Sequence, residues 1–105
     1  MPAFSPARRY PRHEWTGSVR FVLDGKFFLY GHGKNISEGG LAAAVPHRIE
    51  PGQQVTVEIA NALGTATLVL AGVVKHRAGL VHGLEFTTAS GVQRGIIRRM
   101  VSSGG

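Results

Sequence analysis

Apolar residues recur at every second position through most of this chain. In GSVRFVL, residues 17–23, Val19, Phe21 and Leu23 share one face, which predicts a half-buried strand. Asp24-Gly25 follows. An Asp-Gly pair between two such runs predicts a type I′ hairpin, because both central residues of that turn take positive φ. The return strand is KFFLYGHGKNIS, residues 26–37, and GGLAAAV, residues 39–45, reads as a short third strand. PHRIEPGQ is a loop punctuated by Pro and Gly, after which QVTVEIA, residues 54–60, alternates Val55, Val57 and Ile59 with Thr56 and Glu58. Asn61 and Ala62 turn the chain into the long strand LGTATLVLAGVVKH, where Gly72 is expected to permit a bend or bulge. Ala78-Gly79 turns it again into LVHGLEFTT, residues 80–88. Six strands joined by short turns, with no helix between them, predict an all-β fold: a six-stranded antiparallel β-barrel, whose closure leaves no open edge.

The period changes near the C-terminus. SGVQRGIIRRMV, residues 90–101, places Val92, Ile96, Ile97, Met100 and Val101 on one face of a predicted helix, with Arg94, Arg98 and Arg99 elsewhere. Ser90 and Gln93 form a capping-box pattern, the arginines are expected in the last turn, and residues 102–105 are expected to fray. At the other end Pro2, Pro6 and Pro11 remove backbone donors and disfavour helix. Residues 1–14 are therefore expected to be a flexible arm, and residues 15–101 the barrel and its helix.

A chain of 105 residues supports one hydrophobic core and leaves no room for a separate catalytic module. It contains no cysteine, which excludes a disulfide scaffold and thiolate metal sites. No apolar run reaches the length of a signal peptide or a membrane span, so a soluble cytoplasmic protein without membrane insertion is expected. Twelve Lys and Arg against six Asp and Glu give a net charge of +6, which favours anionic partners.

Two short segments carry candidate chemistry. In NISEGG, Asn35 and Ser37 stand two apart and so share a strand face, while Ile36 points to the core. Gly39 and Gly40 are expected to give the backbone a positive-φ path and to leave no Cβ in the way of a ligand. In the arm, RRYPR sets Arg8 and Arg12 four apart. A guanidinium forks onto a phosphate or onto the O6/N7 edge of guanine, and it stacks on a purine face. Two such groups beside an amide and a hydroxyl suit a nucleotide bearing phosphates and guanine.

Other chemistries fit less well. GHGK at 31–34 lacks the earlier Gly and the following Ser or Thr of a phosphate loop, since Phe28 and Asn35 stand there. NISEG lacks the first Gly of a nucleophile elbow. The histidines, His13, His32, His47, His76 and His82, have no metal-ligand spacing and read as surface or turn residues. The carboxylates show no pairing, so no enzymatic activity and no metal or cofactor is expected. Phe21, Phe27, Phe28 and Tyr30 read as core and edge packing, and Trp15 as cover for the barrel rim.

RRYPR ahead of the first strand and NISEGG at the end of the second, with 22 residues between Arg12 and Asn35, resemble the two motifs of the PilZ domain family, R-x-x-x-R and [D/N]-x-S-x-x-G. PGQQVTVEI, GLEF at 83–86 and the terminal helix follow in the same order. The resemblance implies a cyclic di-GMP receptor of bacterial second-messenger signalling. It implies that Arg8 and Arg12 grip the phosphates and guanines, that Asn35 and Ser37 hydrogen-bond a guanine, and that Gly40 lets the chain turn past it. Arg9 lies inside the motif and is expected to add a contact, although its spacing to Arg12 cannot satisfy the pattern. A downstream protein in motility, biofilm or polysaccharide control is implied as the reader of the bound state, with the receptor a monomer or weak homodimer. The alternative from the residues alone is a small basic barrel binding RNA or single-stranded DNA, for which no RNP-type motif is present.

Overall fold

The computed structural model describes residues 10–60 and 67–104. Its elements are β1 (His13–Glu14), β2 (Ser18–Leu23), β3 (Phe27–Ser37), β4 (Gly40–Ala44), β5 (Gln54–Ala60), β6 (Thr67–Ala78), β7 (Val81–Phe86) and α1 (Gly91–Gly104). Neighbouring strands run β3-β2-β5-β6-β7-β4, and β4 pairs back with β3, so six antiparallel strands close a barrel. The two-residue β1 lies on the remaining free stretch of β3.

The alternating pattern explains which side chains go inside. Val19, Phe21, Val55, Val57, Ile59, Leu68, Leu70, Val74, Leu84 and Phe86 all fill the core, while residues between them such as Arg20, Glu58, Val69 and Glu85 face out. Asp24 and Gly25 both take positive φ, at 54° and 66°, and Lys26 N–H closes the turn onto the Leu23 carbonyl at 3.0 Å. The hairpin is the one the Asp-Gly pair predicts. The expected irregularity in β6 lies between Val74 and His76 and not at Gly72.

Helix α1 begins with the capping box in place. Gln93 N–H donates to Ser90 Oγ at 3.1 Å, and Ser90 N–H donates to Gln93 Oε1 at 3.0 Å. Ile97 is buried, and Ile96, Met100 and Val101 pack on the core. Val92 departs from the prediction: it is 75% exposed, one turn before the helix reaches the barrel. The helix also continues to Gly104, which leaves Arg98 and Arg99 short of its last turn and makes residues 102–104 helical rather than frayed.

Three aromatic side chains expected to pack lie outside. Phe27, Phe28 and Tyr30 are 61%, 50% and 65% exposed, whereas Phe21 is fully buried. Phe28 and Tyr30 share the outer face of β3 opposite Val22 and Arg20 of β2. The Arg20 guanidinium stacks 4.8 Å from the Phe28 ring centre and pairs with Glu58 of β5. Phe28 and Tyr30 have found a cation instead of the core. His82 makes the opposite departure, since it is fully buried and its Nε2 accepts the Ile49 N–H at 2.9 Å. It anchors the loop between β4 and β5. Burial of the ring holds its pKa below the ordinary histidine value.

Candidate functional site

The C-terminal half of β3 receives strands on both sides. His13 pairs with Ile36 and Glu14 with Asn35 along one edge, while Asn35, Ile36 and Ser37 pair with Ala42, Leu41 and Gly40 along the other. A bulge between Gly33 and Asn35 resets the register, and beyond it Ile36 enters the core with no exposure. Asn35 and Ser37 lie on the outer face, as their spacing predicts.

Arg12 meets that face. Its Nη1 donates to Asn35 Oδ1 at 2.6 Å, which joins one residue of the arm motif to one residue of the strand motif. Arg8 and Arg9 lie outside the described residues. The arm was expected to be mobile as far as residue 14, yet its described end is bound to the barrel: His13 and Glu14 are paired with β3, and Tyr10 lies against Gly39.

Ser37 is only 6% exposed because its hydroxyl organises the turn into β4. Its Oγ accepts the Gly39 N–H at 3.1 Å and donates to the Gly40 carbonyl at a long 3.4 Å. The accepted bond is firm and the donated one weak, so the hydroxyl proton is the part of Ser37 that can be redirected.

The two glycines serve a different purpose from the one expected. Neither has positive φ. Gly40 sits in β4 where a Cβ would run into the Leu84 carbonyl of β7, and a Cβ at Gly39 would stand 3.0 Å from the Tyr10 ring. Close approach of a backbone and of a ring requires them, not an unusual turn.

Glu38, inside the same motif, is a residue that the spacing did not single out. Arg98 of α1 donates to its Oε1 at 2.9 Å. The pair places a cation beside the only carboxylate of the motif, which lessens repulsion of an anionic ligand. It also ties the turn to the terminal helix. A sequence signal existed in the three arginines on the polar side of the helix, but which of them meets Glu38 depends on how α1 lies on the barrel. Among the described residues no group of three or more His, Asp or Glu is placed to hold a metal ion.

The description PilZ domain matches residues 6–103. The chain belongs to the PilZ domain family. Solved structures show the same fold at low identity. The PilZ domain of CeSA from a cellulose-synthesising bacterium has a TM-score of 0.69 at 19% identity, covering 89% of this chain and 96% of that one. The PilZ domain of YcgR from Escherichia coli, solved with c-di-GMP, has a TM-score of 0.74 at 17% identity over 91% of this chain and 89% of its own. The Bacillus subtilis inhibitor of motility MotI, also called DgrA, gives 0.75 at 16% identity, with 92% of this chain covering 50% of that longer one. No individually curated protein sequence matches significantly. Within this PilZ domain the two family motifs meet at the contact of Arg12 with Asn35.

Proposed function

We propose that this PilZ domain is a cyclic di-GMP receptor that acts without catalysis, its bound state being read by a downstream protein. The observation that carries the reading is the Arg12 to Asn35 hydrogen bond, because it brings a guanidinium from the arm onto the polar face of β3. Membership of the family supports it, as does the YcgR domain of like fold that was solved with c-di-GMP.

Binding follows as an exchange of partners. A guanine presents N1–H and its 2-amino group as donors, and Asn35 Oδ1 accepts them in place of Arg12. The Arg12 guanidinium turns to the ligand and forks onto the phosphate or the guanine O6/N7 edge. Arg8 supplies the second guanidinium of the pattern, and Arg9 an additional positive charge. Ser37 exchanges its long bond to the Gly40 carbonyl for a ligand oxygen while it keeps the Gly39 N–H. Gly40 holds that turn close to β7. Each bidentate arginine contact contributes about 1 to 3 kcal/mol, so several offset the ordering of the arm and reach micromolar binding, about −8 kcal/mol.

The exposed Phe28 and Tyr30 favour a second reading, stacking of single-stranded nucleic acid on the outer face of β3. One panel separates the two. A cyclic dinucleotide site retains cyclic di-GMP and rejects GMP, GTP and cyclic di-AMP. A nucleic-acid surface binds oligonucleotides of many sequences with a steep dependence on salt. Selective retention of cyclic di-GMP is expected; equal binding of all four nucleotides would remove the receptor assignment.

Transmission to a partner, presence in the cytoplasm and a monomeric or weakly dimeric state belong to the same proposal. Helix α1 is the element best placed to report the site, because Arg98 fixes it to Glu38 within the motif.

A further inference from the structure

The pairing of β1 with β3 fixes a register that reaches beyond the two residues of β1. His13 stands opposite Ile36 and Glu14 opposite Asn35. Counting back along the same antiparallel line puts Arg12 level with Ser37, the last residue of β3, and brings Tyr10 to the turn that holds Gly39. Contacts agree with that count at both positions. The Arg12 side chain reaches Asn35, the diagonal neighbour of Ser37, and the Tyr10 ring lies where a Gly39 Cβ would stand 3.0 Å away. Tyr10 and Arg12 therefore meet the polar end of β3 together, one at Gly39 and the other at Asn35.

We infer that Tyr10, seated on Gly39, is the pin that sets the register of the arm and so keeps Arg12 facing the ligand. This rests on the cyclic di-GMP reading above and adds a positioning residue to it. An aromatic ring over a glycine fills the gap left by the missing side chain, so the turn glycine Gly39 marks one seat for the arm as better than its neighbours. A slip of one residue reverses every side chain on the arm. A pinned arm thus keeps Arg12 on the polar face beside Asn35, and a slipped one turns it away. The pin also orders part of the arm in advance, which lowers the entropy lost on binding.

The test compares the full chain with Tyr10→Leu, Tyr10→Phe and Gly39→Ala. Two quantities are read: the ring-current displacement of the Gly39 α-proton resonances by NMR, and the affinity for cyclic di-GMP by calorimetry. Tyr10→Leu is expected to abolish the displacement and weaken binding about tenfold, with the thermal midpoint unchanged. Tyr10→Phe is expected to keep both the displacement and the affinity, because the ring and not the hydroxyl makes the contact. Gly39→Ala is expected to weaken binding as Tyr10→Leu does, by dislodging the ring. Wild-type affinity in Tyr10→Leu would overturn the pin while leaving the receptor reading intact. Loss of affinity in Tyr10→Phe would overturn it too, by pointing to the hydroxyl. Absence of binding by the unsubstituted protein would remove the receptor reading and the pin's role in it, even with the Gly39 displacement present.

Discussion

The two halves of β3 belong to one strand and treat their outer faces differently. From Phe27 to His32 the strand pairs with β2, and its outer side chains, Phe28 and Tyr30, stand in solvent with the Arg20 guanidinium over the Phe28 ring. From Gly33 to Ser37 it is flanked by β1 and β4, and its outer side chains are engaged: Asn35 by Arg12, Ser37 by its own turn. The bulge between Gly33 and Asn35 divides the two. Polar groups in the second half hold the arm and the turn in place. A binding motif can thus make structural bonds within the fold and exchange those same bonds for ligand, so long as the bonds given up are replaced in kind.

Substitutions that change the two halves should separate them. The largest difference is expected in stability. Ile36→Ala, in the core beneath the site, should lower it by about 2 to 5 kcal/mol, while Tyr30→Ala should change it by no more than about 0.5 kcal/mol. Denaturant unfolding checks both, and equal losses would mean that the outer aromatic face supports the fold. Gly40→Ala comes next, because its Cβ must displace the Leu84 carbonyl; a loss of about 1 to 3 kcal/mol is expected by the same measurement.

The site half leans on β4, whose Ala43 pairs with His82 of β7. Unfolding exposes a histidine that titrates near its ordinary value of 6.5, whereas the buried ring takes a proton only at lower pH. Stability is therefore full above about pH 6.5 and declines below it, by at most about 1.4 kcal/mol per pH unit. Arg77 and His47 both act to keep the buried ring neutral. His82→Gln, which retains an acceptor for the Ile49 N–H, should flatten the fall of the thermal midpoint between pH 6.5 and 5; an unchanged slope would assign the pH dependence elsewhere. The smallest effect concerns the amide. Asn35→Asp supplies a charged acceptor to Arg12 and to guanine donors together, and should tighten cyclic di-GMP binding roughly fivefold by calorimetry, consistent with the greater strength of charge-assisted bonds.

The barrel was legible because its signals are local. Alternation identifies each strand, Asp24-Gly25 fixes a hairpin, and Ser90 with Gln93 starts the helix. The spacing of Asn35 and Ser37 placed them correctly on one face. What they do there was not legible, because Gly40 answers to Leu84 and Glu38 to Arg98, partners brought close only by closure of the barrel. His82 shares the parity of Leu84 and Phe86, so its burial could have been read from the strand. Phe27 and Phe28 are adjacent and cannot both face the core, a signal that at least one ring lies outside. The seat of Tyr10 requires the register of β1, which two residues of pairing define and no pattern in the arm announces.

The central claim is that the arm and the polar half of β3 make one nucleotide site. Calorimetric titration of the purified protein and of Arg12→Ala with cyclic di-GMP, reading heat and stoichiometry together, tests it most directly. The protein should bind saturably at micromolar concentration or below, and Arg12→Ala should give no measurable heat at an unchanged thermal midpoint. Undiminished affinity in Arg12→Ala, or no binding by the protein itself, would contradict it.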